Sequence, residues 1–322
     1  MTCSIRILAM LFLAASLTTM LAPTARAAKP VILDTDIGDD IDDTWALAML
    51  LRSPDLDLRL VTTTYGKAEY RAKIIARLLT VAGRTDVPVG LGEGGRGGTG
   101  GQQPWVKDYQ LADYPGKVHQ DGVAAMIDVI EHSREPVTVI AIGPLNTVAA
   151  ALKRRPEIAG KALFVGMDGS VRMGYGGKKP DAEWNVKANV AAAQTVLSAP
   201  WRGISITPLD TCGRINLSGD RFAKLIGSHD ALVQAVLENY RIWSHKERIE
   251  QLKSSSTLFD TVAIYLAYPG ERPLMKLETL SIRVTDDGFT RIDPQGRSMS
   301  VATEWKDLDG YRDFLVRVLT GR

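Results

Sequence analysis

The sequence predicts an α/β protein with an open, mostly parallel, doubly wound sheet that has helices on both faces. Short apolar, β-branched runs alternate with helical patterns, and this alternation is typical of βαβ units with parallel strands. The runs are almost wholly apolar, as expected of strands that are buried on both faces. They lie at Val31–Leu33, Leu58–Thr64, Val87–Val89, Val137–Ile142, Ala162–Met167 and Gly203–Thr207.

Between these runs, apolar residues recur at helical spacing. The predicted helices lie at Thr44–Leu51, Glu69–Ala82, Gly122–His132, Asn146–Lys153 and Ala188–Leu197. After Asp220 the pattern becomes mainly helical, and no repeat or linker divides residues 28–322, which we expect to form a single domain. This later part predicts a long helix from Asp230 to about Leu252, a short helix opening at Asp260, a small hairpin of Leu277–Val284 with Phe289–Ile292, and a closing helix at Leu308–Leu319.

The first 27 residues have the features of a secretory signal peptide. Arg6 precedes an apolar stretch, and Ala25-Arg26-Ala27 is a small-x-small cleavage site. This apolar stretch is shorter than a membrane-spanning helix, which needs about 18 apolar residues. We therefore expect a secreted or periplasmic protein with no membrane anchor in its mature form. Cleavage would lower the formal net charge from +2 to zero, a balance that does not favour binding to nucleic acid.

Cysteine usage also limits the chemistry. Cys3 belongs to the expected signal peptide, so Cys212 is the only thiol of the mature chain and no internal disulfide can form. No local motif around Cys212 indicates a nucleophile, and a buried or loop thiol is the favoured interpretation. The mature chain of roughly 295 residues is long enough for one large α/β domain with a sizeable core.

The most informative segment is Asp34–Asp43, which has six carboxylates in ten residues. It directly follows the predicted strand Val31–Leu33 and directly precedes a predicted helix. Carboxylates at the end of a buried strand repel one another, and a hard multivalent cation relieves this repulsion through oxygen ligation. Open α/β sheets also bind their ligands at the carboxyl ends of strands. The segment therefore indicates a metal or catalytic site rather than a solvated acidic loop.

Other motifs fit the chain less well. An EF-hand loop counted from Asp34 would place Asp39 where Gly is required and Trp45 where Glu is required. A glycine-rich segment at 90–101 has a formal Gly-x-Gly-x-x-Gly match, but it continues into Gln102-Gln103-Pro104 instead of opening a helix. We interpret it as a flexible loop. With Trp105 and Tyr109 after it, the loop would suit a lid over a pocket.

Five motifs, in order, resemble those of the inosine-uridine-preferring nucleoside hydrolases. They are Asp34-Thr-Asp36-Ile-Gly38 with Asp42-Asp43, Ile140–Asn146, Gly166-Met167-Asp168-Gly169, Glu183-Trp184-Asn185 and Leu258-Phe259-Asp260. Together they cover nearly the whole mature chain. The resemblance implies calcium-dependent hydrolysis of the N-glycosidic bond of a ribonucleoside or related N-riboside. Because the family often forms dimers or tetramers, it also implies a possible homo-oligomer.

The resemblance further implies a Ca²⁺ ion bound by Asp36, Asp43, Asp260 and the main-chain carbonyl of Ile142, with two ribose hydroxyls completing the shell. An all-oxygen ligand set of this kind suits calcium better than zinc. Metal coordination lowers the pKa of a bound water, and Asp36 is expected to take its proton as general base. The attack then displaces the base through an oxocarbenium-like state that nearby carboxylates stabilise.

The implied sugar site consists of Asp42, Glu183 and Asn185, which would hold ribose hydroxyls, and Met167, which would line the pocket. This chain has two more residues between Gly38 and the Asp42-Asp43 pair than the commonest family form. Asp40 is therefore an alternative to Asp42 for contact with the sugar or the metal. Asp34 is expected to brace the loop.

The aglycone side departs from the family pattern. Phe259 stands where purine-cleaving members often carry His, and Lys67 stands where many have a ribose-binding Asn. On the long predicted helix, Trp243 could stack on a base, and His245 could donate a proton. Two alternatives stay open: a non-catalytic, calcium-dependent ribose- or nucleoside-binding protein, and a phosphatase of the haloacid dehalogenase type. The second is disfavoured because Gly38 stands where that family expects Thr or Val.

Overall fold

The structure is a computed structural model that describes residues 27–95, 98–270 and 272–321. The expected signal peptide, residues 1–27, lies outside these ranges except for Ala27. The described strands are β1 (Lys29–Thr35), β2 (Leu56–Thr63), β3 (Val89–Gly90), β4 (Val118–His119), β5 (Thr138–Ala141), β6 (Leu163–Gly166), β7 (Gly203–Ile206), β8 (Met275–Val284), β9 (Thr290–Ile292) and β10 (Arg297–Trp305).

Helices follow most of the parallel strands, as the alternating sequence pattern predicts. They are α1 (Asp42–Leu51), α2 (Ala68–Val81), α3 (Gly122–His132), α4 (Asn146–Arg154), α5 (Trp184–Lys187), α6 (Val190–Ser198), α7 (Leu209–Cys212), α8 (Gly219–Ile226), α9 (Ala231–Trp243), α10 (Thr261–Ala267) and α11 (Leu308–Thr320). Over the described ranges, none of these helices has the length and apolar character needed to cross a membrane.

One ten-stranded sheet organises the chain, with the order β4-β3-β2-β1-β5-β6-β7-β10-β8-β9. Strand β1 lies near the middle, parallel to both β2 and β5, and Asp34 pairs with Thr62 on one side and Ala141 on the other. The strand order reverses direction between β1 and β5, which opens a crevice at their carboxyl ends. The aspartate-rich segment leaves β1 at this crevice.

Buried apolar side chains cover both faces of the sheet. On one face they come from α1, α2, α9, α10 and α11, with Trp45 and Tyr311 among the largest fully buried side chains. On the other face they come from α3, α4 and α6, packed around Phe164. This arrangement confirms the doubly wound α/β class and explains why the central strands are apolar on both sides.

Two features of the C-terminal part differ from the sequence-based prediction. The long helix ends at Trp243 rather than near Leu252, and His245 adopts a left-handed conformation with φ of 54° just after it. The predicted hairpin exists as β8 and β9, but a further strand, β10, pairs in parallel with β7 and antiparallel with β8. The late strands therefore extend the main sheet instead of standing apart from it.

Candidate active site

A cavity of about 490 Å³ opens at the carboxyl ends of β1, β5 and β6. All ten residues proposed for the site from the sequence contribute to its wall. The lining consists of Asp36, Asp39, Asp40, Asp42, Asp43, Ile142, Met167, Tyr175, Glu183, Trp184, Asn185, Trp243, Phe259 and Asp260. The structure thus brings together residues from seven separate segments, while the individual roles of these residues stay predictions.

Local hydrogen bonds fix the aspartate loop at the end of β1. The Thr62 hydroxyl donates to Asp34 Oδ1 at 2.6 Å, which anchors this fully buried carboxyl to the neighbouring strand. The Thr35 hydroxyl donates to Asp43 Oδ1 at 2.5 Å and accepts from the main-chain N–H of Ile37 at 3.0 Å. These contacts agree with the bracing role expected of Asp34.

Three buried carboxylates form a cluster that can hold a metal ion. Oxygen atoms of Asp42, Asp43 and Asp260 lie within 4.8 Å of one another. Asp260 occupies the N-cap position of α10, yet its side chain makes no capping hydrogen bond and is directed to the cluster instead. Hard oxygen donors at this spacing fit a cation such as Ca²⁺. Asp36, which the resemblance places among the ligands, lines the same cavity but is not part of this closest trio.

Burial raises the pKa of the buried carboxyls in this region. It raises the pKa of Asp36 to about 7 and that of Asp42 to about 8, and the neighbouring acidic groups raise both further. Burial, together with the adjacent carboxylates, also raises the pKa values of Asp43 and Asp260 well above the usual range. Such crowding is unfavourable for the ionised groups unless a cation neutralises them.

On the opposite wall, Glu183 and Asn185 are held by the turn that opens α5. The Glu183 carboxylate accepts main-chain N–H bonds from Gly169 at 3.0 Å and from Asn185 at 2.8 Å. The Asn185 amide donates to the carbonyl of Met167 at 2.9 Å and to its sulfur at 3.2 Å. Both side chains are therefore preorganised toward the cavity, as a sugar-binding role requires.

Arg71, which the sequence analysis did not single out, lies beneath the aspartate loop and is 1% exposed. Its guanidinium donates to the main-chain carbonyls of Asp36 and Ile37, to the carbonyl of Tyr65 at 2.7 Å, and to the Asp39 carboxylate at 2.6 Å. Nothing in the sequence indicates that this one arginine of a predicted helix would contact a loop more than 30 residues earlier in the chain. Here it fixes the main chain of the expected general base.

Four aromatic side chains form the rim of the cavity: Tyr175, Trp184, Trp243 and Phe259. The indole N–H of Trp243 donates to the carbonyl of Asp39 at 3.0 Å, which orients the ring over the cavity. Tyr175 and Phe259 meet edge to face with 6.2 Å between ring centroids. Tyr175 and Trp184 were not predicted as site residues, although Trp184 lies inside the Glu183-Trp184-Asn185 motif.

Several residues considered from the sequence lie elsewhere. The lining of the cavity within the described ranges does not include His245 or Lys67, and Lys67 lines a separate surface cavity. Trp105 and Tyr109 also lie away from the site, where Trp105 stacks on a guanidinium of α2. These two aromatics do not line the cavity in this structure, and the suggested lid stays a prediction.

The end of the glycine-rich segment is attached to the aspartate loop. The Gln102 amide donates to the carbonyl of Asp40 at 3.2 Å, and its oxygen accepts from the Thr44 hydroxyl at 2.8 Å. A Cβ on Gly100 would lie 1.9 Å from the carbonyl oxygen of Gly38, so only glycine permits this close approach. Cys212 is buried, as expected, and burial raises its thiol pKa, which disfavours a nucleophilic role.

Comparison with known proteins agrees with this geometry. The family model for inosine-uridine preferring nucleoside hydrolases matches residues 31–317. The chain belongs to this family. It is therefore a ribonucleoside hydrolase, an enzyme that acts on N-glycosyl bonds, and the phosphatase and non-catalytic binding alternatives lose their support.

Relatives of this hydrolase are found among curated proteins and solved structures. A pyrimidine-specific ribonucleoside hydrolase of Enterobacter sp. is 33% identical over 241 residues, 68% of this chain and 72% of that protein. A plant nucleoside hydrolase structure has a TM-score of 0.77 at 21% identity and covers 91% of this chain and 99% of that chain. The structure of an inosine-uridine preferring nucleoside hydrolase from Bacillus anthracis has a TM-score of 0.72 at 19% identity. It covers 91% of this chain and 100% of that chain. These structures show that the fold is shared.

Proposed function

We propose that this hydrolase is an exported, calcium-dependent enzyme that cleaves the N-glycosidic bond of ribonucleosides or related N-ribosides and releases ribose and the free base. The observation that carries the proposal is the buried carboxylate cluster of Asp42, Asp43 and Asp260 facing Glu183 and Asn185 across one cavity. A metal and a polyhydroxylated sugar need such oxygen and amide groups at short range.

The chain's own residues divide the work of this reaction. Asp36 is the general base, since its carboxylate lines the cavity and burial raises its pKa to about 7, near the pH at which a base is most effective. Glu183 and Asn185 bind and orient ribose hydroxyls. When bound, Ca²⁺ would neutralise the clustered carboxylates and increase the acidity of a coordinated water. Carboxylates around the sugar also stabilise positive charge that develops at the anomeric carbon.

Calcium is favoured by the chemistry of the donors. The cluster offers carboxylate oxygens, and the carbonyl of Ile142 lies on the same wall. In this structure that carbonyl accepts only a long hydrogen bond of 3.4 Å from the Asn185 amide, which leaves a lone pair for a metal. No Cys or His side chain lines the cavity within the described ranges, and these are the ligands that zinc prefers.

The test is a substrate panel. The purified mature protein is incubated with purine, pyrimidine and nicotinamide ribosides, with and without a calcium chelator, and free ribose is measured. We expect ribose release that the chelator abolishes and added Ca²⁺ restores. Release that persists unchanged after complete removal of divalent ions would overturn the calcium dependence. A protein that binds Ca²⁺ and ribose but releases no ribose from any riboside would overturn the proposed activity.

A further inference from the structure

Cleavage of an N-glycosidic bond leaves the bonding electron pair on the nitrogen of the departing aglycone. A neutral base therefore departs as an anion unless a proton reaches it, whereas a positively charged aglycone departs as a neutral molecule. In both cases water supplies the new hydroxyl group at the anomeric carbon, and the proton of that water passes to a base such as Asp36. The charge of the aglycone thus decides whether a leaving-group acid is required.

The electrostatics of the cavity disfavour a departing anion. Seven carboxylates line it, and among the described lining residues there is no Lys, Arg or His. The guanidinium of Arg71 is 1% exposed beneath the loop and does not reach the lining. A bound divalent cation brings two positive charges to a cavity lined by seven acidic groups, so it does not make the cavity favourable for an anion. A negative leaving group would be repelled at short range, and a positive aglycone would be attracted.

The rim adds a second attraction for positive charge. Tyr175, Trp184, Trp243 and Phe259 present aromatic faces and edges around the mouth of the cavity. Aromatic faces attract cations, and the attraction is strongest for the indole ring. Beside them lies Asp40, whose carboxylate accepts only the main-chain N–H of Ile41, at 3.0 Å, and makes no ion pair within the described part of the chain. An aromatic rim next to a free carboxylate suits a flat cation.

Phe259 is the third relevant feature. Its apolar ring directly precedes Asp260 in the chain and packs edge to face on Tyr175, so it brings no proton donor to the aglycone. The Tyr175 hydroxyl accepts the main-chain N–H of Trp184 at 3.1 Å and is the only hydroxyl among the described lining residues. For a neutral base this arrangement lacks a strong acid. For a cationic aglycone no acid is needed.

We propose that the cavity prefers N-ribosides whose aglycone is a positively charged heteroaromatic ring, such as an N-ribosyl pyridinium or an N-methylated purine. This inference rests on the ribohydrolase function proposed above and names its substrate class. Water adds to the anomeric carbon, the C–N bond breaks, the aglycone leaves neutral, and the released proton is taken by Asp36. The reaction is balanced without any further reactant.

The test compares matched substrates with the full mature protein in Ca²⁺. The pairs are 7-methylguanosine with guanosine, and nicotinamide riboside with its neutral dihydro form, with free ribose as the readout. Because the cationic ribosides are also less stable in water, each kcat/KM is divided by the uncatalysed rate in the same buffer. We expect the cationic member to keep an advantage of about tenfold or more after this correction. Equal or lower corrected values for the cations would overturn the inference and leave the ribohydrolase function intact.

Binding provides an independent readout that does not depend on turnover. Calorimetry is expected to show about tenfold tighter binding of 1-methylnicotinamide, a cation, than of nicotinamide. Asp40→Asn is expected to reduce this preference, while the surface variant Asp57→Asn leaves it unchanged. Equal affinities for the two compounds would overturn the inference even in a protein that cleaves no riboside at all.

Tyr175→Phe removes the hydroxyl that, among the described lining residues, could replace a leaving-group acid. Because Phe keeps the aromatic ring of the rim, we expect the ratio of the corrected rates, 7-methylguanosine to guanosine, to stay at about tenfold or more in this variant, whatever happens to the individual rates. If Tyr175→Phe instead selectively abolished an efficient cleavage of guanosine or uridine, the hydroxyl would be the acid for neutral bases. The proposed preference for cations would then be overturned.

Discussion

The floor of the cavity is made by carboxylates at the ends of strands and at the start of α10, whereas its rim is made by aromatic side chains on loops and helix ends. The floor is almost fully buried, with Asp36, Asp43 and Asp260 all below 7% exposure. At the rim, Tyr175 is 39% and Trp184 is 50% exposed. The two regions therefore contact the same substrate from a buried floor and from a partly exposed rim.

This difference explains how one fold can keep its chemistry while its substrates vary. The floor carboxylates are fixed by the sheet and by hydrogen bonds from Thr35 and Thr62, so they tolerate little change. At the rim, Tyr175 and Trp184 are exposed, so we expect substitutions of these two residues to disturb the fold less. The relatives are described variously as pyrimidine-specific, inosine-uridine preferring and purine-preferring. In this chain we expect substitutions at the rim, rather than at the floor, to change which aglycone is preferred.

The largest effect is expected at the general base. Asp36→Asn keeps the size of the side chain but removes the proton acceptor, so kcat should fall by about 10³-fold while ribose remains bound. Steady-state assays of ribose release, with ribose binding measured by calorimetry, check this result. Asp57→Asn, a surface change on β2, is the matched control. An Asp36→Asn enzyme with undiminished kcat would show that the base is another residue.

Metal binding distinguishes the floor from the rim directly. Asp260→Asn removes one charge from the buried trio, and we expect the affinity for Ca²⁺ to fall by about 100-fold. Asp39→Asn, at the rim, should change it by less than about fivefold, because Asp39 is partly exposed and already pairs with Arg71. Titration of the metal-free protein with Ca²⁺ measures both. Equal losses in the two variants would contradict a metal site confined to the floor.

Arg71 connects the floor to α2, and its loss should reduce stability. Arg71→Met removes the donors to three buried carbonyl groups, so we expect the free energy of unfolding to fall by about 3 kcal/mol. Arg59→Met, which removes an arginine that is 59% exposed on β2, should cost less than about 0.5 kcal/mol. Urea unfolding measures both values. Comparable effects of the two substitutions would show that Arg71 does not hold the aspartate loop.

The floor carboxylates also predict how stability depends on pH. Burial raises the pKa of Asp34 and of Asp42 from 3.8 to about 8, so the folded protein binds protons more tightly than the unfolded chain. The stability that this provides is complete below about pH 4 and is lost as the pH rises through the folded pKa values. We expect the metal-free protein's Tm to fall by on the order of 5 °C between about pH 5 and pH 9.

Ca²⁺ should largely prevent this fall, because it stabilises the ionised carboxylates. Thermal unfolding across this pH range, with chelator or with excess Ca²⁺, provides the comparison. Asp43→Asn with excess Ca²⁺ is the control, since it weakens the site that the ion occupies. A metal-free Tm that rises steadily toward pH 9 would show that the floor carboxylates are ionised without a cation.

The smallest effect is expected at the rim. Trp184→Leu removes an exposed aromatic surface from the aglycone side, so KM should rise by about fivefold while kcat and Tm stay nearly unchanged. Phe164→Leu, in the core behind the sheet, is the opposite control, because it should lower Tm and leave KM unchanged. If Trp184→Leu lowered kcat as strongly as Asp36→Asn, the separation of floor and rim would be wrong.

Much of the floor was predictable because its signals are local. The apolar run before Asp34 and the helical pattern after Asp43 place the acidic segment at the end of a buried strand, whatever the rest of the chain does. The resemblance to the nucleoside hydrolases then implied that Glu183, Asn185 and Asp260 would meet it, and the structure places all of them in one cavity. The sequence alone thus determined the α/β class and the composition of the floor.

The remaining features depend on contacts between distant segments, which local patterns do not encode. α9 ends at Trp243 without a Gly or Pro stop signal. The position of β10 in the sheet is set by its pairing with both β7 and β8. The position of Arg71 under the aspartate loop and the meeting of Tyr175 with Phe259 likewise arise only when the helices pack on the sheet. Tertiary structure decided these features, because their free energy comes from burial and hydrogen bonding between residues far apart in sequence.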